Sequence, residues 1–581
     1  MPTAPSRCPR CSQGLDESAK SDKIPATVSP LTRSLSALGF PFSMRTLVVL
    51  ACAIVLLAPA AAIAQTEPFL TAQDVMDAVR TAATAINPTN IVIAVVDRAG
   101  VPLAVYGGTT ANPAADIITG GIVTQLYQGG PGVAATGVTA QDYAVGLART
   151  GAFFSNNNAP LSSRTVRFIS GIHFPPGIFN KPPAALYGIE NTNRGCDFNV
   201  AIAGIPRATS LNGGTCVGSG FPSTPANFAG CGTGIVTGKA DIYDSDPSAV
   251  DGGGVPIFKG GVLVGGIGVT GVGIPHSATE FAAFAGSVPG PNFGPRPAAP
   301  GVIYLDGIAL PFVQNTLRPA GFAPGVFNAG GFTLGPIASP NGAAGVPRGY
   351  LVAPMTSGGL TAQMVGTAIS RGIDEARRTR AAIRLPLGTT TQMVFAVSDL
   401  AGNIVALYRM EDATIFSIDV AVGKARNAVY FSSPTRDPAD IPGVPLGTAV
   451  TARTISFGAQ PLYPAGIDQT RPGPFFGDFV LDVLNPCTQG RDPNNTANHS
   501  GVVFFPGSIG LYSGLNLIGG LGVSGDGVEQ DDFVTAATVS QINCPTCAPN
   551  WTPPERIRAD RVIIGDVRLP FFKFPRNPET R

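Results

Sequence analysis

The sequence predicts an α/β protein of the α+β kind. It is expected to hold two tandem three-layer-like domains, each a mainly antiparallel sheet with packed helices, joined by long Gly/Pro-rich loops. Three observations carry this reading. A set of short segments occurs twice in the same order. Within each set, strand-like and helix-like apolar patterns alternate. Glycine and proline supply 73 and 54 of 581 residues without a collagen-like period, so the connections are expected to be long.

Composition narrows the partners. Charged residues are 13% of the chain and the formal net charge is +1. No basic stripe exists to track a phosphate backbone, so nucleic acid is not expected as a partner. Hydrophobic residues at 44% suffice for real cores.

Residues 1–43 are Ser/Pro-rich without apolar periodicity and read as disordered or as an over-called start. Met44-Arg45 opens an apolar run from Thr46 to Ala64 that ends in Ala62-Ile63-Ala64. This is the pattern of a signal peptide over 44–64 with a small-residue cleavage site. The mature protein is therefore expected to be exported, periplasmic or extracellular, with no membrane span after signal removal. Cys196, Cys216, Cys231, Cys487, Cys544 and Cys547 remain, and disulfides are the default in that compartment, with the pairing left open.

The repeat begins with Leu70-Thr71-Ala72-Gln73 and returns as Leu360-Thr361-Ala362-Gln363. Both open helix-like segments, with Val75, Val79 and Ala82-Ala83 in one and Val365, Ala368, Ile369 and Ile373 in the other. Thr71 and Thr361 are the expected N-caps, and Asp74 completes a capping-box variant in the first copy only. VIAVVDRAGVPLAVY (92–106) and VFAVSDLAGNIVALY (394–408) each read as strand, tight turn, strand. Asp97 and Asp399 open the turns and Gly100 and Gly402 permit them.

A helix ending in Ala425 to Phe431 matches Ala148 to Phe154, with Lys424 replaced by Leu147. TVRFISGIHFPPGI (165–178) matches TISFGAQPLYPAGI (454–467), preceded by Arg164 and Arg453. VIYLDGIALPF (302–312) matches VIIGDVRLPF (562–571). The expected domains are 66–313, divergent and with insertions, and 359–578, with a Pro/Gly-rich connector at 314–358.

GGIGVTG (265–271) and GGLGVSGDGVEQDDF (519–533) read as a strand delivering a glycine turn to a helix. Their G-x-G-x-x-G spacing fits the dinucleotide pattern. The following strand with its acidic residue is absent, so no nucleotide is expected. Glu529, Asp531 and Asp532 suit either a hard cation or a solvated helix start that complements the helix dipole; the second reading leads, and the metal stays unknown. No nucleophile-elbow pattern is present. His173, His276 and His499 are scattered, and no catalytic residue is assigned.

The order of LTAQ helix, AVxDxAGxxxALYRM hairpin, helix with GKARNA and GGLGVSGDGVEQDDF resembles the GlcG/HbpS-like family of haem-binding or haem-degrading domains, best over about 360–540. The resemblance implies an α/β domain that tends to oligomerise and binds a tetrapyrrole or related small organic ligand. It implies Arg409, Met410, Lys424, Ser524 and Asp531 as the residues lining or supporting the site, with Gly525 beside them. It does not establish an enzyme. The leading expectation is an exported small-molecule-binding protein with haem or another tetrapyrrole as ligand, as a homo-oligomer. The alternatives are an enzyme acting on a small organic acid through Lys424 or Asp531, and a structural envelope protein whose sites are vestigial.

Overall fold

The computed structural model describes residues 68–118, 127–128, 138–170, 186–189, 235–236, 252–294, 303–334 without 306, 346–484 without 465, 466 and 468, 500–540 and 548–579. The expected signal peptide, the six cysteines, His173 and His499 lie outside the described residues.

The first half opens with α1 (Ala72–Ala85). Thr71 caps it by accepting from the Asp74 N–H, and the Asp74 carboxylate accepts from the Thr71 N–H at 2.8 Å. Strands β1 (Val92–Asp97) and β2 (Pro102–Gly107) form the expected hairpin. Asp97 accepts from the Val101 N–H at 2.8 Å, and Gly100 turns the chain at φ +85°. Then follow α2 (Ala140–Phe154), α3 (Ser163–Ser170), β3 (Gly254–Lys259), β4 (Val262–Thr270), α4 (His276–Ser287) and β5 (Phe332–Leu334). The sheet order is β5-β2-β1-β4-β3, antiparallel throughout.

The second half repeats this plan. It comprises β6 (Gly349–Val352), α5 (Ala362–Ala376), β7 (Val394–Ser398), β8 (Ile404–Arg409) and α6 (Phe416–Ser432). Then come α7 (Ala452–Gly458), α8 (Phe476–Leu484), β9 (Ser508–Ser513), β10 (Asn516–Ser524) and α9 (Val528–Val539). Its order, β6-β8-β7-β10-β9, is the order of the first sheet. The stretch 314–358 supplies β5 and β6, the edge strand on the same side of each sheet.

Each central strand is buried on both faces, which is why its sequence runs apolar without alternation. Val92, Ala94 and Val96 of β1 share a core with Ala144 and Ala148 of α2, whereas Ile93 and Val95 share another with Val79 and Ala282. The sheet is thus the middle of three layers. The helix on one face rests on bare strand backbone. A Cβ at Gly266 or Gly268 would lie 2.1 or 1.9 Å from the carbonyl oxygens of Ala148 and Ala144. Gly520 and Gly522 meet Ala425 O and Ala421 O at 2.2 and 2.0 Å in the same way.

This corrects the reading of Gly522-Val523-Ser524-Gly525 as a turn. β10 continues to Ser524, and its glycines admit the helix; the chain bends only at 525–527. The two halves interlock where α2 ends and α6 begins. The Phe154 and Phe416 rings stack at 4.0 Å, and the Ile415 N–H donates to Phe153 O at 3.1 Å.

Candidate functional site

The sheet end where β7 begins gathers the residues singled out by sequence. Val394 pairs with Arg409 on one side and with Ser524 on the other. The preceding Met393 accepts from the Met410 N–H at 3.0 Å, and its own N–H points to Met410 Sδ at 3.3 Å. A Cβ on Gly525 would strike Met393 Cγ at 2.5 Å, so this position takes only glycine. Ser524 donates to Ser417 Oγ, at the start of α6, at 3.2 Å.

Behind them lies an ion pair. Lys424 Nζ donates to Asp531 Oδ2 at 2.8 Å and to Val523 O at 2.8 Å, with the ammonium 5.0 Å from the Phe505 ring centre. Both residues are buried. Burial pushes the Lys424 pKa down, against the opposing pull of Asp531. Burial pushes Asp531 up to about 7, against Lys424, while the neighbouring Asp532 and Asp526 charges add to the rise. Asp531 Oδ1 is buried without a hydrogen-bond partner among the described residues.

The carboxylates are therefore not a solvated helix start. Asp532 is buried and pairs with Arg453, and it accepts from the Lys573 N–H at 3.0 Å. Only Glu529, which pairs with Lys573, keeps partial exposure. Among the described residues, no group of three or more His, Cys, Asp or Glu side chains is placed to hold a metal.

Arg409 lies at the rim, with its guanidinium turned inward to donate to Pro347 O at 3.1 Å and to Ala413 O. Burial lowers its pKa to about 9, and the nearby Arg98 cation adds to this. A cleft of about 310 Å³ opens there, lined by Arg348, Gly349, Arg377, Gln392, Tyr408, Arg409, Met410 and the acidic Glu411. Tyr350 packs edge-on against Tyr408 beside it and is 41% exposed. Arg409 and Met410 therefore line the cleft, whereas Lys424, Asp531 and Ser524 are buried and Gly525 is half-buried.

Sequence reasoning missed Arg384. It donates to Asp526 at 2.5 Å, to Asp412 at 2.7 Å and to Asn158 of the first half at 3.1 Å. No motif spacing announces it, because its partners are 28, 142 and 226 residues away. Arg453 left a signal, since an arginine precedes both matched segments. Arg164 and Glu280 form the equivalent pair in the first half at 2.5 Å.

The halves agree further. Arg149 donates to Gly100 O at 2.9 Å as Arg426 does to Gly402 O at 2.8 Å, which sets Leu147 at the place of Lys424. Val92 pairs with Gly107 and Thr270 as Val394 pairs with Arg409 and Ser524, which sets Gly107-Gly108 at the place of Arg409-Met410.

Residues 372–540 match a family model described as haem degrading protein HbpS-like. The corrinoid adenosyltransferase PduO of Salmonella typhimurium (strain LT2) is 27% identical over 168 residues, which is 29% of this chain and 37% of that protein. The chain thus spans little more than a third of that relative. Among solved structures, a PduOC:heme complex is similar over 32% of this chain and 95% of its own, at 22% identity and a TM-score of 0.21. The Klebsiella pneumoniae protein ORFY is similar over 30% and 83%, at 21% identity and a TM-score of 0.19. Over residues 372–540, this chain is thus similar to the HbpS-like family.

Proposed function

We propose that the second half binds a tetrapyrrole, and that it holds the molecule by its carboxylate edge and ring face. The observation that carries the reading is the cleft of Arg348, Arg377 and Arg409 beside Tyr350 and Tyr408, inside or next to the segment that matches a haem-degrading family. Guanidinium groups suit carboxylates, and an exposed tyrosine suits a flat ring. The cleft, at about 310 Å³, is at the small end for a ligand pocket, so it takes an edge of the macrocycle and leaves the rest against the surface.

The residues fit the organic part of haem better than its iron. Met410 Sδ already accepts a hydrogen bond, and the cleft's described lining contains no histidine or cysteine. In this reading Arg348 and Arg377 meet the carboxylates, and Arg409 and Met410 form the cleft wall behind them. Lys424, Ser524, Gly525 and Asp531 hold the strand end in place behind them. The pattern of the two sheets supports a tandem duplication over 66–313 and 359–578. The apolar run ending Ala62-Ile63-Ala64 supports export, and the family resemblance supports a homo-oligomer.

The test is titration of the purified chain with haemin and with metal-free protoporphyrin, followed by absorbance and by quenching of its single tryptophan, Trp551. Saturable binding of both, with affinities within about fivefold of each other, is expected, since about 1 kcal/mol is the most that iron then contributes. Binding of haemin alone overturns edge-and-face recognition, and binding of neither overturns the whole reading.

The geometry also suits an enzyme: Lys424 Nζ lies 2.8 Å from Asp531, and burial pushes the lysine down and the carboxyl up to about 7, as in an acid/base pair. That reading expects deuterium exchange at the carbon next to the carboxylate of a small organic acid, abolished by Lys424→Met.

A further inference from the structure

Gly107 and Gly108 stand where the second half has Arg409 and Met410, and their lack of side chains leaves a larger space at that sheet end. The cavity there is about 600 Å³, against about 310 Å³ in the second half. We propose that this cavity is a second ligand site, for a neutral polyhydroxylated small molecule, built from Gln141, Asn112, Asn328, Thr109 and Thr333 around the Gly107-Gly108 backbone.

The lining decides the class of ligand. Its described residues include no charged side chain, so a charged ligand would be desolvated there without a counter-charge. Three amides and two hydroxyls offer donors and acceptors together, which suits hydroxyl groups that do both. Ala104, Ala111 and Pro113 give an apolar wall for ring C–H faces.

The space is fixed by backbone rather than by mobile side chains. A Cβ on Gly108 would fall 2.2 Å from Thr89 O, and one on Gly331 would fall 1.9 Å from Gly107 O. Neither position admits a side chain that could fill the cavity from there.

Gln141 brings a helix side chain to the cavity wall. It lies in the first turn of α2, anchored by its N–H to Pro113 O at 3.0 Å. It is 7% exposed and forms part of the cavity wall. An amide in a cavity wall both donates and accepts, and so can meet a bound hydroxyl in either sense.

The experiment is calorimetric titration of the full chain, free of tetrapyrrole, with glucose, N-acetylglucosamine and glucuronate. Saturable binding of at least one of the two neutral sugars is expected, with glucuronate at least about tenfold weaker. Gln141→Leu should weaken the neutral sugar at least about tenfold and leave the unfolding midpoint nearly unchanged. Thr333→Val should weaken it as well. The proposal is overturned if neither neutral sugar binds, if glucuronate binds as well as glucose, if Gln141→Leu binds unchanged, or if Gln141→Leu lowers the midpoint, which would make the amide structural. None of these outcomes bears on tetrapyrrole binding in the second half.

Discussion

Lys424 Nζ and Asp531 Oδ2 stand 2.8 Å apart in the buried layer between α6, β10 and α9, and the second Asp531 oxygen has no partner among the described residues. In the first half the same places hold Leu147 and, counting from the helix starts at His276 and Val528, Thr279. One architecture thus accommodates either an ion pair or an apolar-hydroxyl pair.

Removing one partner should cost far more than removing both. Lys424→Leu strands a buried carboxylate, a loss of about 3–5 kcal/mol. The double variant Lys424→Leu/Asp531→Thr copies the first half and should lose clearly less than the two single changes summed. Urea unfolding of the four proteins measures this. Additive losses would show that the pair is not energetically coupled.

The same pair sets a pH dependence of unusual sign. Burial raises Asp531 from 3.8 to about 7, so the folded state binds this proton more tightly than the unfolded chain. Its contribution is full below about 4 and is lost as pH rises through about 7. Asp526 and Asp532, both raised by burial, act in the same direction. Lys424 is depressed, so its share is present above its ordinary 10.5 and is lost as pH falls. Stability should therefore decline from pH 4 to 7, and Asp531→Asn should flatten that decline. A midpoint that climbs over this range in the parent protein would refute the assignment.

The hairpins, the N-caps and the repeated strand order were legible in the sequence because each rests on local periodicity and turn chemistry. Asp97, Asp399 and the Thr71–Asp74 box are such cases. What was misread depended on distant partners. Gly520 and Gly522 looked like a turn, because nothing in the local pattern shows a helix carbonyl waiting about 2 Å from a would-be Cβ. Asp531 and Asp532 looked like a solvated helix start, because Lys424 and Arg453 lie 107 and 79 residues away. Arg384 was invisible for the same reason. The site residues Arg409, Met410 and Lys424 emerged from family resemblance, and the structure splits them between an accessible cleft and a sealed pair.

The two kinds of glycine should respond differently to a methyl group. Gly522→Ala forces a Cβ to 2.0 Å from Ala421 O, between backbones that cannot yield, and should cost about 3 kcal/mol or more. Gly514 turns the β9–β10 hairpin at φ +62° with open space around it, so Gly514→Ala should cost only about 1 kcal/mol. Thermal or urea unfolding compares them. Equal losses would mean that α6 does not rest on the β10 backbone.

Arginines at the cleft separate folding from recognition. Arg348 pairs with Glu411, and these side chains are 52% and 72% exposed; Arg377 is 63% exposed and stands 3.8 Å from Asp374. Exposed pairs of this kind contribute about 0–1 kcal/mol, because water screens the charges and both side chains lose freedom. Arg348→Ala and Arg377→Ala should therefore leave the unfolding midpoint nearly unmoved. Each should nevertheless weaken protoporphyrin binding about tenfold, since a guanidinium meeting a carboxylate in a partly desolvated cleft is worth about 1.5–3 kcal/mol. Raising the salt concentration should reproduce part of that loss in the parent and less of it in the variants. Unchanged affinity in both variants, with the fold intact, would place the tetrapyrrole elsewhere.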